Sequence, residues 1–112
     1  MNDETIAALR GSIEHHERMR DGKGGMLGRS GCDLCRRFDW KCRARDGAVC
    51  PVDEATSNGC DGTPYQELWN HVERHHFGGT AIRPIPTCAE CVRLENAEIE
   101  FLRSLLPEGV KS

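Results

Sequence analysis

Helical periodicity at both ends of the chain, a cysteine-rich aperiodic middle and a shortage of large apolar side chains predict a small, mostly α fold stabilised by zinc. The expected order is an N-terminal helix over 1–21, an irregular cysteine-rich zinc loop region over 29–62 and an antiparallel two-helix C-terminal hairpin over 63–107. All three belong to a single zinc-binding domain of 112 residues.

The shortage comes first. Ile, Leu, Val, Met, Phe, Trp and Tyr together supply about a quarter of the residues. A core of that size stabilises a domain weakly, and small domains add disulfides, metals or partners. Seven cysteines are available for the task. The polar, charged stretch from Met1 to Ser12 lacks the basic region and apolar run of a secretory signal. No stretch has the length of a membrane span. The expected location is therefore a cytoplasm, where paired cysteines serve as metal ligands more often than as disulfides. An odd cysteine count also fits a closed disulfide set badly.

The first helix is predicted from about Asp3 to Arg20, capped by Asn2 or Asp3, with Ile6, Leu9, Ile13 and His16 at helical spacing. His16 on that stripe is expected to be a satisfied core-edge histidine, not a ligand. Asp21-Gly22-Lys23-Gly24-Gly25 stops the helix. Residues 29–62 hold no sustained period of 3.6 or 2, and so long an irregular segment needs a cross-link. The second helix is predicted to start at Thr63-Pro64, with Gln66 completing a capping box. Its apolar face is Tyr65, Leu68, Trp69, Val72 and His76, and Gly78-Gly79 ends it. A link punctuated by Pro84 and Pro86 follows. Thr87-x-x-Glu90 opens the third helix as a second capping box. That helix continues through Val92, Ile99, Leu102 and Leu106 to Pro107. Leu94, Phe101 and Leu105 widen its stripe, so it is expected to bury against more than one neighbour.

Cys32-Asp33-Leu34-Cys35 has the spacing that brings two thiolates to one tetrahedral zinc. Cys50, before Pro51, and Cys60, within Asn58-Gly59-Cys60-Asp61-Gly62, have turn-forming neighbours suited to further ligands. The first site is assigned to Cys32, Cys35, Cys50 and Cys60, with Cys42 in place of Cys50 as the rival set. Cys88-Ala89-Glu90-Cys91 is a second pair of the same spacing, at the start of the third helix. His71 and His75 are four apart near the end of the second helix and share a face. An antiparallel hairpin brings that end to the second pair. His71, His75, Cys88 and Cys91 are thus a candidate second zinc site. The alternatives are an inert dithiol beside solvated histidines, and a redox pair at a helix N-terminus. A thioredoxin-like role lacks the βαβ pattern it requires.

Net charge of −3 argues against a general polyanion binder. Arg36, Arg37, Lys41, Arg43 and Arg45 nevertheless cluster, with Phe38 and Trp40 between them. The simplest reading is a solvated basic loop whose aromatics cover the zinc site. The functional one is a contact to an acidic protein or to nucleic acid, the interleaved aromatics suiting single strands.

The chain resembles a group of small cysteine-rich proteins of bacteriophage and prophage genomes. The resemblance lies in Ala8-Leu9-Arg10-Gly11-Ser12-Ile13-Glu14, Cys32-x-Leu34-Cys35, Cys50-Pro51-Val52, Cys60-Asp61-Gly62-Thr63-Pro64-Tyr65 and Phe101-Leu102-Arg103-Ser104-Leu105-Leu106-Pro107. It implies a bacterial host cytoplasm and bound metal, and no particular activity. The group often carries a cysteine where this chain has Gly47, and Cys42 is the residue available to compensate. The Cys88–Cys91 pair is peculiar to this sequence.

No hydrolase elbow or phosphate-cradling glycine loop is present. Asn70-His71 with His75 and His76 invites comparison with zinc-stapled nucleases, but the histidine-bearing strand that should precede such a helix is missing. A four-cysteine zinc is usually closed and structural. The sequence thus points to a non-enzymatic protein holding one Zn2+, or two, and acting as an adaptor or regulator through an unnamed protein partner. The alternative is a nucleic-acid-binding zinc protein using Arg36 to Arg45.

Overall fold

The fold is taken from a computed structural model, in which residues 3–23, 27, 50–57, 62–76 and 87–107 are described. These residues are mostly helical, with no strand among them. The described helices are α1 (Asp3–Arg20), α2 (Pro51–Thr56), α3 (Pro64–His75) and α4 (Ala89–Ser104).

α1 begins with Asp3 and Glu4 and ends with Arg18 and Arg20, which opposes charge to the helix dipole at both ends. Its buried face holds Thr5, Leu9, Ser12, Ile13, His15, His16 and Met19. The helix closes in a Schellman turn. Gly22 donates to the Met19 carbonyl at 3.2 Å and Lys23 to that of Arg18 at 2.8 Å. The turn needs a left-handed residue, and Gly22 supplies it at φ 76°.

α2 lies inside the segment expected to be irregular, and it corrects that expectation over residues 51–56. Pro51 occupies the first helical position, and Asp53 and Glu54 follow in the first turn. Both are helix-start signals. Six residues make less than two turns, too few to register as a period, which is why the pattern reads as loop. Gly62, at φ 78°, has open space around it, so backbone conformation alone selects glycine there. It leads into Thr63, the N-cap of α3.

Neither predicted capping box forms. Thr63 caps α3 without a side-chain capping bond, and Gln66 Nε2 donates instead to Asn70 Oδ1 at 3.1 Å. At α4 the N-cap is Cys88, one residue after Thr87, and Glu90 accepts from Arg93. The predicted extension of this helix to Leu106 is also shortened. The α ladder ends at Ser104, and Leu105 and Leu106 donate to carbonyls three residues back, at 3.1 Å each, as the last turn tightens.

α4 is the central element, packing on both α1 and α3 as its wide stripe predicts. α1 runs opposite to it. Arg20 Nη1 reaches Asn96 Oδ1 at 3.0 Å, while Arg103 Nη2 reaches Glu17 Oε2 at 3.1 Å. Two apolar clusters form along α4. One joins Ile99, Leu102 and Leu106 to Leu9, Ile13, Cys50 and Val52. The other joins Cys91 and Leu94 to Leu68, Val72, Met19 and Leu27. A polar pair lies at the boundary between them. His16 Nδ1 donates to Glu95 Oε1 at 2.6 Å with both side chains buried. His16 is therefore a satisfied core residue, and its partner comes from another helix.

Candidate metal centre

The end of α3 meets the start of α4. His71 sits in the last turns of α3, and His76 is the C-cap residue. Cys88 is the N-cap of α4, and Cys91 is three residues further on. One ligand atom from each of these four residues lies within 4.8 Å of all the others. Cys88 Sγ and His71 Nε2 are 3.5 Å apart. A tetrahedral zinc shell, with bonds of about 2.3 Å to sulfur and about 2.0–2.1 Å to nitrogen, has sulfur–nitrogen edges of about 3.5 Å. The same separation also suits a thiol–imidazole hydrogen bond. The widest separations in the group must shorten by about an ångström for a metal to bridge them.

His76, a member of the group, carries an orphan atom, Nε2. It is shielded from solvent and makes no hydrogen bond. A buried polar atom without a partner costs on the order of 1–3 kcal/mol. A metal ligated through Nε2 would satisfy it.

Electrostatics prepare two of the donors. Burial, followed by the neighbouring His75 and His76, holds the His71 imidazole below its ordinary range, against the pull of Glu90. This favours the neutral ring that can ligate. The Cys88 thiol is also held low, first by the amide N–H of Cys91, then by the Cys91 thiol and the Glu90 amide. Burial and the Glu90 carboxylate oppose the shift. Thiolate character at a helix N-terminus is what a metal ligand requires.

Of the residues expected for the second site, the structure brings His71, Cys88 and Cys91 into one group, and the fourth place goes to His76 instead of His75. His75 is exposed, although its ring stacks 4.9 Å from that of His71. The physical reason is the helix end. His75 is the last helical residue, so it follows the i, i+4 rule yet points to solvent, whereas His76 is freed from that rule. At His76 the backbone leaves helical geometry, with φ −127° and ψ −3°, and its ring comes within 5.2 Å of His71. The sequence signal was the place of His76 on the apolar face, four residues after Val72.

Of the first predicted site, Cys50 alone falls within the described residues. It is a thiol, 7% exposed, at the N-cap of α2 within the aliphatic cluster of α1 and α4. Cys32, Cys35 and Cys60, the rival ligand Cys42, and the basic residues Arg36, Arg37, Lys41, Arg43 and Arg45 lie outside the described residues. Among the described residues, no helix is long and apolar enough to cross a membrane. Comparison with family models, curated proteins and solved structures finds no match.

Proposed function

We propose that the chain is a non-enzymatic zinc protein, an adaptor or regulator of the phage or prophage type that acts through protein contacts in a bacterial cytoplasm. The observation that carries this reading is the convergence of His71, His76, Cys88 and Cys91; His76 Nε2 is in addition buried without a hydrogen bond. Two sulfurs and two nitrogens in tetrahedral reach select zinc over harder cations. Four protein ligands complete a zinc shell and leave no open position for a substrate. Such a site acts as a staple, not a catalyst.

In this reading α3 and α4 form the antiparallel hairpin anticipated from the sequence, and zinc pins the end where the two histidines meet the two thiols. A second zinc held by Cys32, Cys35, Cys50 and Cys60 staples the central region. The adaptor role follows from scaffold chemistry: stapled helices and loops offer a fixed surface at low core cost.

The test is chelation at neutral pH. Removing zinc should diminish the near-UV signal of Trp69 and Tyr65, which pack on the α3–α4 cluster, and expose α3 to protease. Zinc should restore both. An unchanged signal and unchanged cleavage would sink the zinc-staple reading. A salt-dependent mobility shift of labelled single-stranded DNA or RNA would favour the nucleic-acid role over the adaptor role.

A further inference from the structure

The donor group contains a second chemistry. Cys88 is partly exposed, whereas Cys91, one turn further into α4, is completely buried. Their sulfurs belong to the same group, with ligand atoms within 4.8 Å of one another. Cys88 is the N-cap and Cys91 the third helical residue, so one turn separates them, and a single helical turn rises about 5 Å. That lies inside the window of roughly 4.4–6.8 Å that a disulfide accepts. One sulfur is thus reachable from solvent and the other stands behind it, within reach of a bond. A sulfur electron pair given to a disulfide is no longer available to a metal. The two histidines cannot hold zinc tightly by themselves, since two of four ligands are lost at once.

We propose that the Cys88–Cys91 pair is an oxidant-operated release for the zinc bound by His71, His76, Cys88 and Cys91. The proposal rests on the metal reading given above. The oxidant class is a hydroperoxide. Cys88 Sγ attacks one peroxide oxygen, the O–O bond breaks, and hydroxide leaves to take up a proton as water. Cys88 is then a sulfenic acid. Cys91 Sγ attacks the Cys88 sulfur, the S–S bond forms, and the sulfenic oxygen departs as a second water after protonation. With hydrogen peroxide the balance is two zinc-bound thiolates, one peroxide and two protons giving one disulfide, two waters and one Zn2+. Two electrons pass from the sulfurs to the peroxide. A thiol reductant reverses the step, and zinc can rebind.

Position favours this pair over Cys50. Cys50 is buried among Leu9, Ile13, Val52 and Ile99, a setting that screens a thiol from peroxide. Cys88 stands at the rim, where α3 ends and α4 begins.

The experiment uses the full zinc-loaded chain and the His71→Ala/His76→Ala double variant. Zinc content is measured first in both. The variant should hold one zinc fewer per chain, and equal contents would overturn the metal reading itself. The wild-type chain is then titrated with hydrogen peroxide, following zinc with a chromogenic chelator and the mass of the peptide carrying Cys88 and Cys91. The proposal expects that peptide to become two hydrogens lighter in step with release of the zinc that the variant lacks. Two thiols should disappear per zinc released, and dithiothreitol with added zinc should restore both. Zinc retained while the peptide oxidises, or zinc released while the peptide stays reduced, would overturn the switch and leave the metal reading standing. Oxidation of Cys88 to sulfinic acid without a disulfide would overturn it equally.

Discussion

At the C-terminal half of α4, Ile99, Leu102 and Leu106 pack on Leu9 and Ile13 of α1 and on Val52 of α2. At its N-terminal end, Cys88 and Cys91 face His71 and His76, with Leu68, Val72, Met19 and Leu94 packed behind them. The first end is held by burial, which is non-directional and independent of ligands. The second combines burial with four directional donors whose full contribution, in the proposed reading, needs an ion. One helix thus has an unconditional end and a conditional one. The buried His16–Glu95 pair stands at the boundary between them.

The largest expected effect lies at that boundary. Glu95 is completely buried, with Oε1 on His16 and Oε2 without a hydrogen bond. Glu95→Ala removes the buried carboxylate that holds His16 Nδ1 and is expected to cost about 3–5 kcal/mol in a denaturant titration, the usual penalty for removing one partner of a buried pair. A cost under 1 kcal/mol would mean that the pair does not organise the boundary.

Next comes the unconditional end. Leu102→Ala removes a side chain that is 3% exposed. It is expected to lower stability by about 2–5 kcal/mol. The zinc assigned to His71, His76, Cys88 and Cys91 should be retained, because Leu102 lies in the aliphatic cluster and not among those four donors. Loss of that zinc from the folded Leu102→Ala chain would merge the two ends and defeat the comparison.

A smaller effect is expected where α1 stops. Gly22→Ala forces a Cβ into the left-handed conformation of the Schellman turn, at about 1–2 kcal/mol. Thermal unfolding checks it, and a stabilised variant would mean that the turn is not formed.

The smallest effect is a titration of the conditional end without metal. The His71 pKa is lowered in the folded chain, chiefly by burial. Its unfolded counterpart takes up a proton first as pH falls, near ~6.5. The unfolded state then binds more protons, so the His71 contribution is complete above that pH and is lost as pH falls toward the folded value. Zinc-free wild-type chain should therefore lose more stability between pH 7.5 and 5.5 than zinc-free His71→Ala. An equal or smaller loss would remove His71 from the account of acid sensitivity.

The unconditional elements were readable from the sequence for a simple reason. Ile6, Leu9 and Ile13 repeat at helical spacing, and Gly22 marks the stop, so α1 matches its expected span of Asp3 to Arg20. The wide stripe from Leu94 to Leu106 announced two neighbours for α4. Local detail was less readable. Thr87 and Glu90 have the right spacing for a capping box, but the chain places Cys88 at the cap, where its thiol joins the donor group. α2 is too short to show periodicity, and only Pro51 with Asp53 and Glu54 betrays it. In the site, Cys88, Cys91 and His71 followed from spacing and helix order. His76 was placed on the apolar face but not among the donors, because the i, i+4 rule pairs His71 with His75 and the helix ends before His76. Glu95 could not be matched to His16 either. No local pattern links residues 79 apart, and only the packing of α1 on α4 does.

The measurement that bears most directly on the central claim is zinc stoichiometry in three chains: wild type, His76→Ala and His75→Ala. The predicted result is one zinc fewer per chain in His76→Ala and no change in His75→Ala, with both variants folded by far-UV circular dichroism. A full zinc complement in His76→Ala, or a loss confined to His75→Ala, would contradict the assignment of the site to His71, His76, Cys88 and Cys91.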